Sequence, residues 1–61
     1  MANLSAKELT ALEDQLGMEQ LMVKKYRTYA GTASDAALKS HCEQIANQHQ
    51  QHYQTLLNHL N

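Results

Sequence analysis

The sequence predicts an all-α protein, an antiparallel helical hairpin that dimerises into a four-helix bundle. The 61 residues contain no proline and only two glycines, Gly17 and Gly31, so little interrupts a helix. Apolar residues recur at alternating steps of three and four, which is the spacing of one helix face. A single domain over residues 1–61 is too short to bury a sufficient core alone, and one cysteine excludes an internal disulfide. We therefore expect a homodimer.

The first helix is predicted over about 6–30. Ser5 is a suitable N-cap, and Glu8 follows three residues later, which is capping-box spacing. Gly31 is expected to end the helix, because glycine tolerates the left-handed conformation found just past helix ends. Gly17 lies inside this helix, and we expect it to permit the close approach of another helix.

The second helix is predicted over about 35–60, after a turn at 31–34. Thr32 and Ser34 are expected caps, with Asp35 in the first turn. Because so short a connection joins neighbouring helices, the two must run antiparallel.

Each predicted helix carries a heptad seam with a polar centre. The first seam is Leu9, Leu12, Leu16, Glu19, Val23, Tyr26 and Ala30. The second seam is Leu38, Cys42, Ile45, His49, His52, Leu56 and His59. Pairing Ala30 near Asp35 brings Glu19 level with residues 46 or 47, within a helical turn of His49, and Tyr26 level with residues 39 or 40. Cys42 is expected to be a small buried hydrophobe.

A second apolar stripe on each helix favours the dimer. These stripes are Met18, Met22 and Tyr29 on the first helix and Ala46, Tyr53, Leu57 and Leu60 on the second. Together with the seams they are wider than one partner helix can cover, as in a four-helix bundle.

The polar centre formed by Glu19, His49 and His52 has two interpretations. Buried ionisable groups require a partner, so these three form either a hydrogen-bonded layer that fixes register and oligomeric state or a metal site. Two imidazoles and one carboxylate suit Zn, Fe(II) or Mn. His59 is expected at the seam edge near the end of the helix, and His41 lies just off the seam.

The chain resembles the ferritin-like superfamily, and within it the short helical-hairpin proteins of the spore coat F family. The resemblance rests on Glu19 followed by Tyr26, the Gly-Thr-x-Ser-Asp turn at 31–35, and His52 ahead of Leu56 and Leu57. It implies a ferritin-like four-helix bundle. Metal-binding relatives use a glutamate from one helix and a Glu-x-x-His motif from the next.

The resemblance places Glu19 at the first glutamate and His52 at the histidine of that motif. His49 stands where the bridging glutamate would be, which disfavours oxygen chemistry at two metals. We therefore expect no enzyme. The resemblance implies a structural or assembly module with homodimeric and spore-coat partners, and a divalent-metal-binding protein is the alternative.

Composition excludes other classes. Five Lys or Arg residues against six Asp or Glu give no net positive charge for nucleic-acid binding. The basic cluster Lys24, Lys25 and Arg27 is expected to complement the dipole at the end of the first helix. No segment has the length and apolar composition of a membrane span or a signal peptide. The expected location is cytoplasmic, and the family resemblance implies association with spores.

Overall fold

The computed structural model of the chain describes residues 4–60, which form a hairpin of two α-helices. Helix α1 comprises Ala6–Thr32 and helix α2 comprises Ala36–Asn58. The helices pack against each other, and no strand occurs within residues 4–60. The predicted all-α hairpin is confirmed. Residues 1–3 and 61 of the predicted domain lie outside this description.

The start of α1 is held by the predicted capping box. The backbone N–H of Glu8 donates to the Ser5 hydroxyl at 3.1 Å, and the Ser5 N–H donates to the Glu8 carboxylate at 3.0 Å. Each side chain thus satisfies a backbone donor that a helix start leaves without a partner.

The end of α1 differs from the prediction, because Gly31 lies inside the helix and has no positive φ. The chain instead leaves the helix at Ala33, whose backbone is extended and whose N–H donates to the Tyr29 carbonyl at 3.0 Å. The predicted caps of α2 are also wrong, because Thr32 is the last residue of α1 and Ser34 lies one residue before the observed cap. Asp35 is the N-cap itself, and its carboxylate accepts from the Leu38 N–H at 2.9 Å.

The contact between the helices is a narrow strip of small and medium-sized side chains. The buried residues are Leu16, Glu19, Val23 and Ala30 on α1 and Cys42 and Ala46 on α2. The buried position of Cys42 is confirmed. Ala46, assigned to the second stripe by the sequence, is the most buried residue at 1% exposure, whereas His52 and Leu38 of the predicted seam are exposed.

Helix α2 is therefore rotated relative to its predicted seam. A small alanine at the contact lets the two helices approach closely, and larger seam residues then move to the flank. Gly17 plays no such role within the hairpin, because a Cβ placed there would meet no atom within 4 Å.

The hairpin is a single layer of two helices with an open side on each flank. Its Cα atoms extend 46 × 16 × 10 Å, and its radius of gyration is 14.3 Å. A compact 61-residue domain has a radius of gyration of about 10 Å. Within residues 4–60, neither helix is both long enough and apolar enough to cross a bilayer.

Candidate functional site

The polar centre lies near the middle of the hairpin, where α1 contributes Glu19 and α2 contributes His49 and His52. The observed ends of the helices, Thr32 and Ala36, place Glu19 opposite residue 49. His49 and His52 are three residues apart, so both rings leave α2 on neighbouring parts of one face. This register differs from the predicted one by two or three residues, because α1 continues two residues beyond its predicted end and α2 begins one residue later.

Glu19 contacts both histidines. The Nδ1 of His49 lies 2.6 Å from Oε1 of Glu19, and the Nδ1 of His52 lies 3.5 Å from Oε2. Since an ionised carboxylate only accepts hydrogen bonds, the proton of the shorter contact belongs to His49 Nδ1. The amide of Gln15 makes a weaker contact of 3.5 Å with Oε2. A buried carboxylate is thus satisfied from both helices.

The three side chains differ in exposure. Glu19 is buried, His49 is partly buried, and the side chain of His52 is 61% exposed. Aromatic contacts hold the inner imidazole in place, because the ring of Tyr26 stacks on His49 with centroids 6.1 Å apart and planes 12° apart. His49 and His52 meet edge to face at 5.7 Å. The site is anchored at Glu19 and opens toward solvent at His52.

The hydrogen bond from His49 lowers the pKa of Glu19 below its ordinary value of 4.5. Burial acts in the opposite direction, and the contact from Gln15 and the nearby charges of the two histidines lower the pKa further. Glu19 is therefore ionised at neutral pH, as both an ion-pairing residue and a metal ligand must be.

The arrangement fits the donor set of a divalent-metal site. One ligand atom from each of Glu19, His49 and His52 lies within 4.8 Å of the other two. Nitrogen and carboxylate ligands suit Zn²⁺, and three protein ligands leave a coordination position for water. A metal ion would replace the proton between His49 and Glu19, since their 2.6 Å separation is a hydrogen bond.

The structure brings together all three residues that the sequence singled out, and leaves the other two histidines outside. His41 and His59 are exposed, and neither belongs to this group. Tyr26 lies against His49, nine or ten residues along α2 from its predicted neighbours at residues 40 and 39. Side chains lean toward the N-terminus of their own helix, so Tyr26 and His49 lean toward each other in an antiparallel pair.

The other flank of the hairpin carries a groove that the sequence did not indicate. Its volume is about 570 Å³, and it lies between α1 and α2. The amide of Gln20 donates to the Tyr53 hydroxyl at 3.3 Å across this groove. Lys24 and Arg27 also line it, although the sequence assigned them to the end of α1. That assignment was wrong, because the last turn of α1 contains no basic residue.

No protein-family model, curated protein or solved structure matches the chain. The chain is a two-helix hairpin with a mid-length Glu/His cluster, and its resemblance to the ferritin-like superfamily stays a prediction.

Proposed function

We propose that this chain is a non-enzymatic assembly module that pairs with a second copy to form a homodimeric four-helix bundle. The second copy packs on the flank that contains Glu19, His49 and His52, which is called here the cluster side. A structural role of the kind implied by the coat F resemblance, in a spore-associated assembly, is part of this proposal.

The observation that carries the proposal is the single-layer shape. Stable domains bury apolar surface between at least two layers of secondary structure. This hairpin exposes 4640 Å², whereas a compact protein of its mass exposes about 4000 Å². Only five apolar residues are buried in the hairpin, and none of its large side chains is fully buried. A second layer supplies the missing core.

The cluster side is the flank that favours this contact. On α1, one helical stripe contains Met18, Met22 and Tyr29. The ring of Tyr29 packs edge to face on that of Tyr26, with the ring centroids 5.7 Å apart. On α2, Leu38 and Ile45 precede His52 at steps of seven residues. The exposures of Met18, Tyr29 and Leu38 are between 47% and 57%, which is high for apolar residues sharing one surface.

The second copy is favoured over an unrelated partner by self-complementarity. In a two-fold dimer the same surface supplies both halves of the contact. Apolar residues flank the polar centre on this side along both helices, so each copy can place apolar surface against apolar surface. The polar layer around Glu19 then restricts how the two copies pair, because only some registers leave the buried carboxylate hydrogen-bonded.

The test is the mass in solution of the full chain and of two variants, measured by sedimentation equilibrium. Met18→Glu places a charge on the cluster side and is expected to yield unpaired chains with reduced helix content. Leu21→Glu is the matched control, because Leu21 is 59% exposed but lies away from the cluster side by its helical phase. A monomeric parent chain, or equal dissociation of both variants, contradicts the proposal.

Divalent-metal binding at the cluster is the second candidate function, and the convergence of three ligand atoms within 4.8 Å favours it. The residues that would hold the ion are Glu19, His49 and His52, and the ions considered are Zn, Fe(II) and Mn. With one carboxylate in this group, the ligand set favours a single divalent site over a bridged pair of metals that activates oxygen.

Calorimetric titration of the untagged chain with Zn²⁺ tests this candidate. His52→Gln removes a direct ligand and is expected to raise the Kd for Zn²⁺ about tenfold or more. Loss of a residue that only hydrogen-bonds to a metal ligand already has an effect of this size. His41→Gln, another exposed histidine of α2, is the matched control and should bind Zn²⁺ like the parent. Equal weakening in both variants, or no binding by the parent, rejects the site.

A further inference from the structure

We propose that the flank opposite the cluster binds a small organic molecule through a phosphate monoester group. The site is the groove lined by Gln20, Lys24, Arg27, Thr28, Gln50 and Tyr53, called here the cationic groove. None of these residues lies on the cluster side. The sequence analysis assigned Tyr53 to an apolar stripe that favours the dimer, but the structure places it in this groove.

The first observation is that the two cations of the cationic groove lack a structural explanation. Lys24 and Arg27 lie eight and five residues before the end of α1. Both precede the last turn, which is where a cation complements the helix dipole. Both ion pairs among residues 4–60 join Glu19 to a histidine, so no carboxylate in that part of the chain pairs with Lys24 or Arg27.

The second observation is the composition of the groove. Its lining contains two cations and no carboxylate, although the whole chain has a net charge of −1. Arg27 presents a planar fork of donors that matches the oxygens of a phosphate, and Lys24 adds a compact positive charge. Two cations balance the nearly two negative charges of a phosphate monoester at neutral pH.

The third observation is a set of neutral donors supplied by both helices. The Tyr53 hydroxyl accepts from Gln20 at 3.3 Å, which fixes its position and leaves its own proton to donate to a ligand. Gln50 adds an amide donor from α2, whereas the Thr28 hydroxyl donates to the Lys24 carbonyl at 2.9 Å and can only accept from a ligand. Donors that converge from two helices distinguish this groove from an isolated pair of surface cations.

The remaining surface of the groove accommodates an organic body. The side chain of Val23, the ring of Tyr53 and the aliphatic stems of the two cations are apolar. The groove volume of about 570 Å³ is within the usual range for small-molecule sites, about 300–1,000 Å³. A phosphate attached to an aromatic or aliphatic body therefore fits better than inorganic phosphate alone.

The experiment is a titration of the ¹⁵N-labelled full chain with phenyl phosphate, followed by NMR at constant ionic strength and about pH 7.5, where the phosphate is a dianion. Saturable shifts are expected in the amides of residues 20–28 and 50–53. Benzenesulfonate has the same ring and a single charge, and it should bind more weakly.

Variants that remove one cation each distinguish binding in the cationic groove from nonspecific electrostatic attraction. Lys24→Gln and Arg27→Gln are each expected to weaken binding about tenfold, the effect of losing one charged hydrogen bond. Lys25→Gln removes the same charge from the adjacent position and should leave Kd nearly unchanged. Its ammonium lies 6.0 Å and 5.9 Å from the ring centroids of Tyr26 and Tyr29, on the cluster side.

Three results overturn the inference. They are shifts that do not saturate, equal weakening by the Lys25 and Arg27 variants, and binding restricted to phosphatidylcholine vesicles that contain phosphatidic acid. The last result would assign the phosphate chemistry to a lipid surface. Because all three substituted side chains are exposed, the variants are expected to keep the parent's helix content, which circular dichroism checks.

Discussion

The two flanks of the hairpin differ in the chemistry they offer a partner. The cluster side combines exposed methionine, tyrosine and leucine with a buried carboxylate and two imidazoles. The opposite flank has a groove lined with cations and neutral hydrogen-bond donors. One strip of small buried residues thus holds two helices together while leaving two surfaces for different partners.

The difference arises from side-chain placement around α1. Tyr26 and Tyr29 lie on one flank and Arg27 lies on the other. Arg27 nevertheless follows Tyr26 directly and precedes Tyr29 by only two positions. In a helix each residue is rotated by about 100° from the last, so adjacent positions face different surroundings.

The first prediction replaces three side chains on each flank by alanine. Met18→Ala, Met22→Ala and Tyr29→Ala together should lower the free energy of unfolding by about 4 kcal/mol or more, because each is expected to be buried in the dimer. The control triple, Lys24→Ala, Arg27→Ala and Gln50→Ala, should change it by only about 0.5 kcal/mol per site. Urea denaturation measures both. Similar losses for the two triples would contradict the assigned dimer surface.

The second prediction removes the polar centre from the cluster side. Replacing Glu19, His49 and His52 together by leucine should keep or raise the urea midpoint, because apolar packing replaces a desolvated ionic contact. The same change should broaden the distribution of oligomers, since no charged layer then selects a register. A uniform, unchanged dimer in light scattering would show that the polar layer does not set the pairing.

The third prediction concerns the two glycines, which lie within α1 and meet no neighbour that a methyl group would strike. Gly17→Ala and Gly31→Ala should each raise the free energy of unfolding by about 1 kcal/mol, from higher helix propensity and a less flexible unfolded chain. Thermal unfolding followed by circular dichroism measures the gain. A lower melting temperature for Gly17→Ala would place a partner against this position in the dimer.

The smallest expected effect is the pH dependence due to Glu19. Its pKa in the folded chain is lower than its ordinary value of 4.5. Its ionised form therefore stabilises the fold fully above pH 4.5, and this stabilisation is lost as the pH falls through the lowered pKa. Urea midpoints from neutral pH down to about pH 3 should fall less steeply for Glu19→Gln than for the parent. Parallel curves of urea midpoint against pH for the parent and the variant would show that Glu19 does not contribute to the pH dependence.

Glu8 has the same direction of shift, from its hydrogen bonds with Ser5, and its variant serves as a reference. Glu8→Gln should also flatten the acid limb. Unlike Glu19→Gln, it should leave Zn²⁺ binding unchanged.

Local sequence rules predicted the elements of the fold and the members of the candidate site. The capping box at Ser5 and Glu8 requires only residues three apart, and it forms as predicted. Glu19 and His49 were predicted to lie within one helical turn, and their 2.6 Å contact confirms this. Such features depend on helical spacing and connection length, which the sequence contains.

The groove and the rotation of α2 could not be predicted in the same way. Ala46 and Ile45 are adjacent and both apolar, and helical periodicity alone does not decide which faces α1. The capping role assigned to Lys24 and Arg27 failed because it depended on ending the helix at Gly31. Glycine permits a helix end without requiring one, and here Ala33 supplies the extended backbone instead.

The two helices, the short connection and the placement of Glu19 near His49 follow from the amino-acid sequence, because periodicity, caps and chain geometry specify them. Three features arise from the packing of the helices: Ala46 occupies the helix contact, His52 opens to solvent, and Gln20 and Tyr53 join across the cationic groove. Those features depend on how one helix rotates against the other, and close packing of whole side chains sets that rotation.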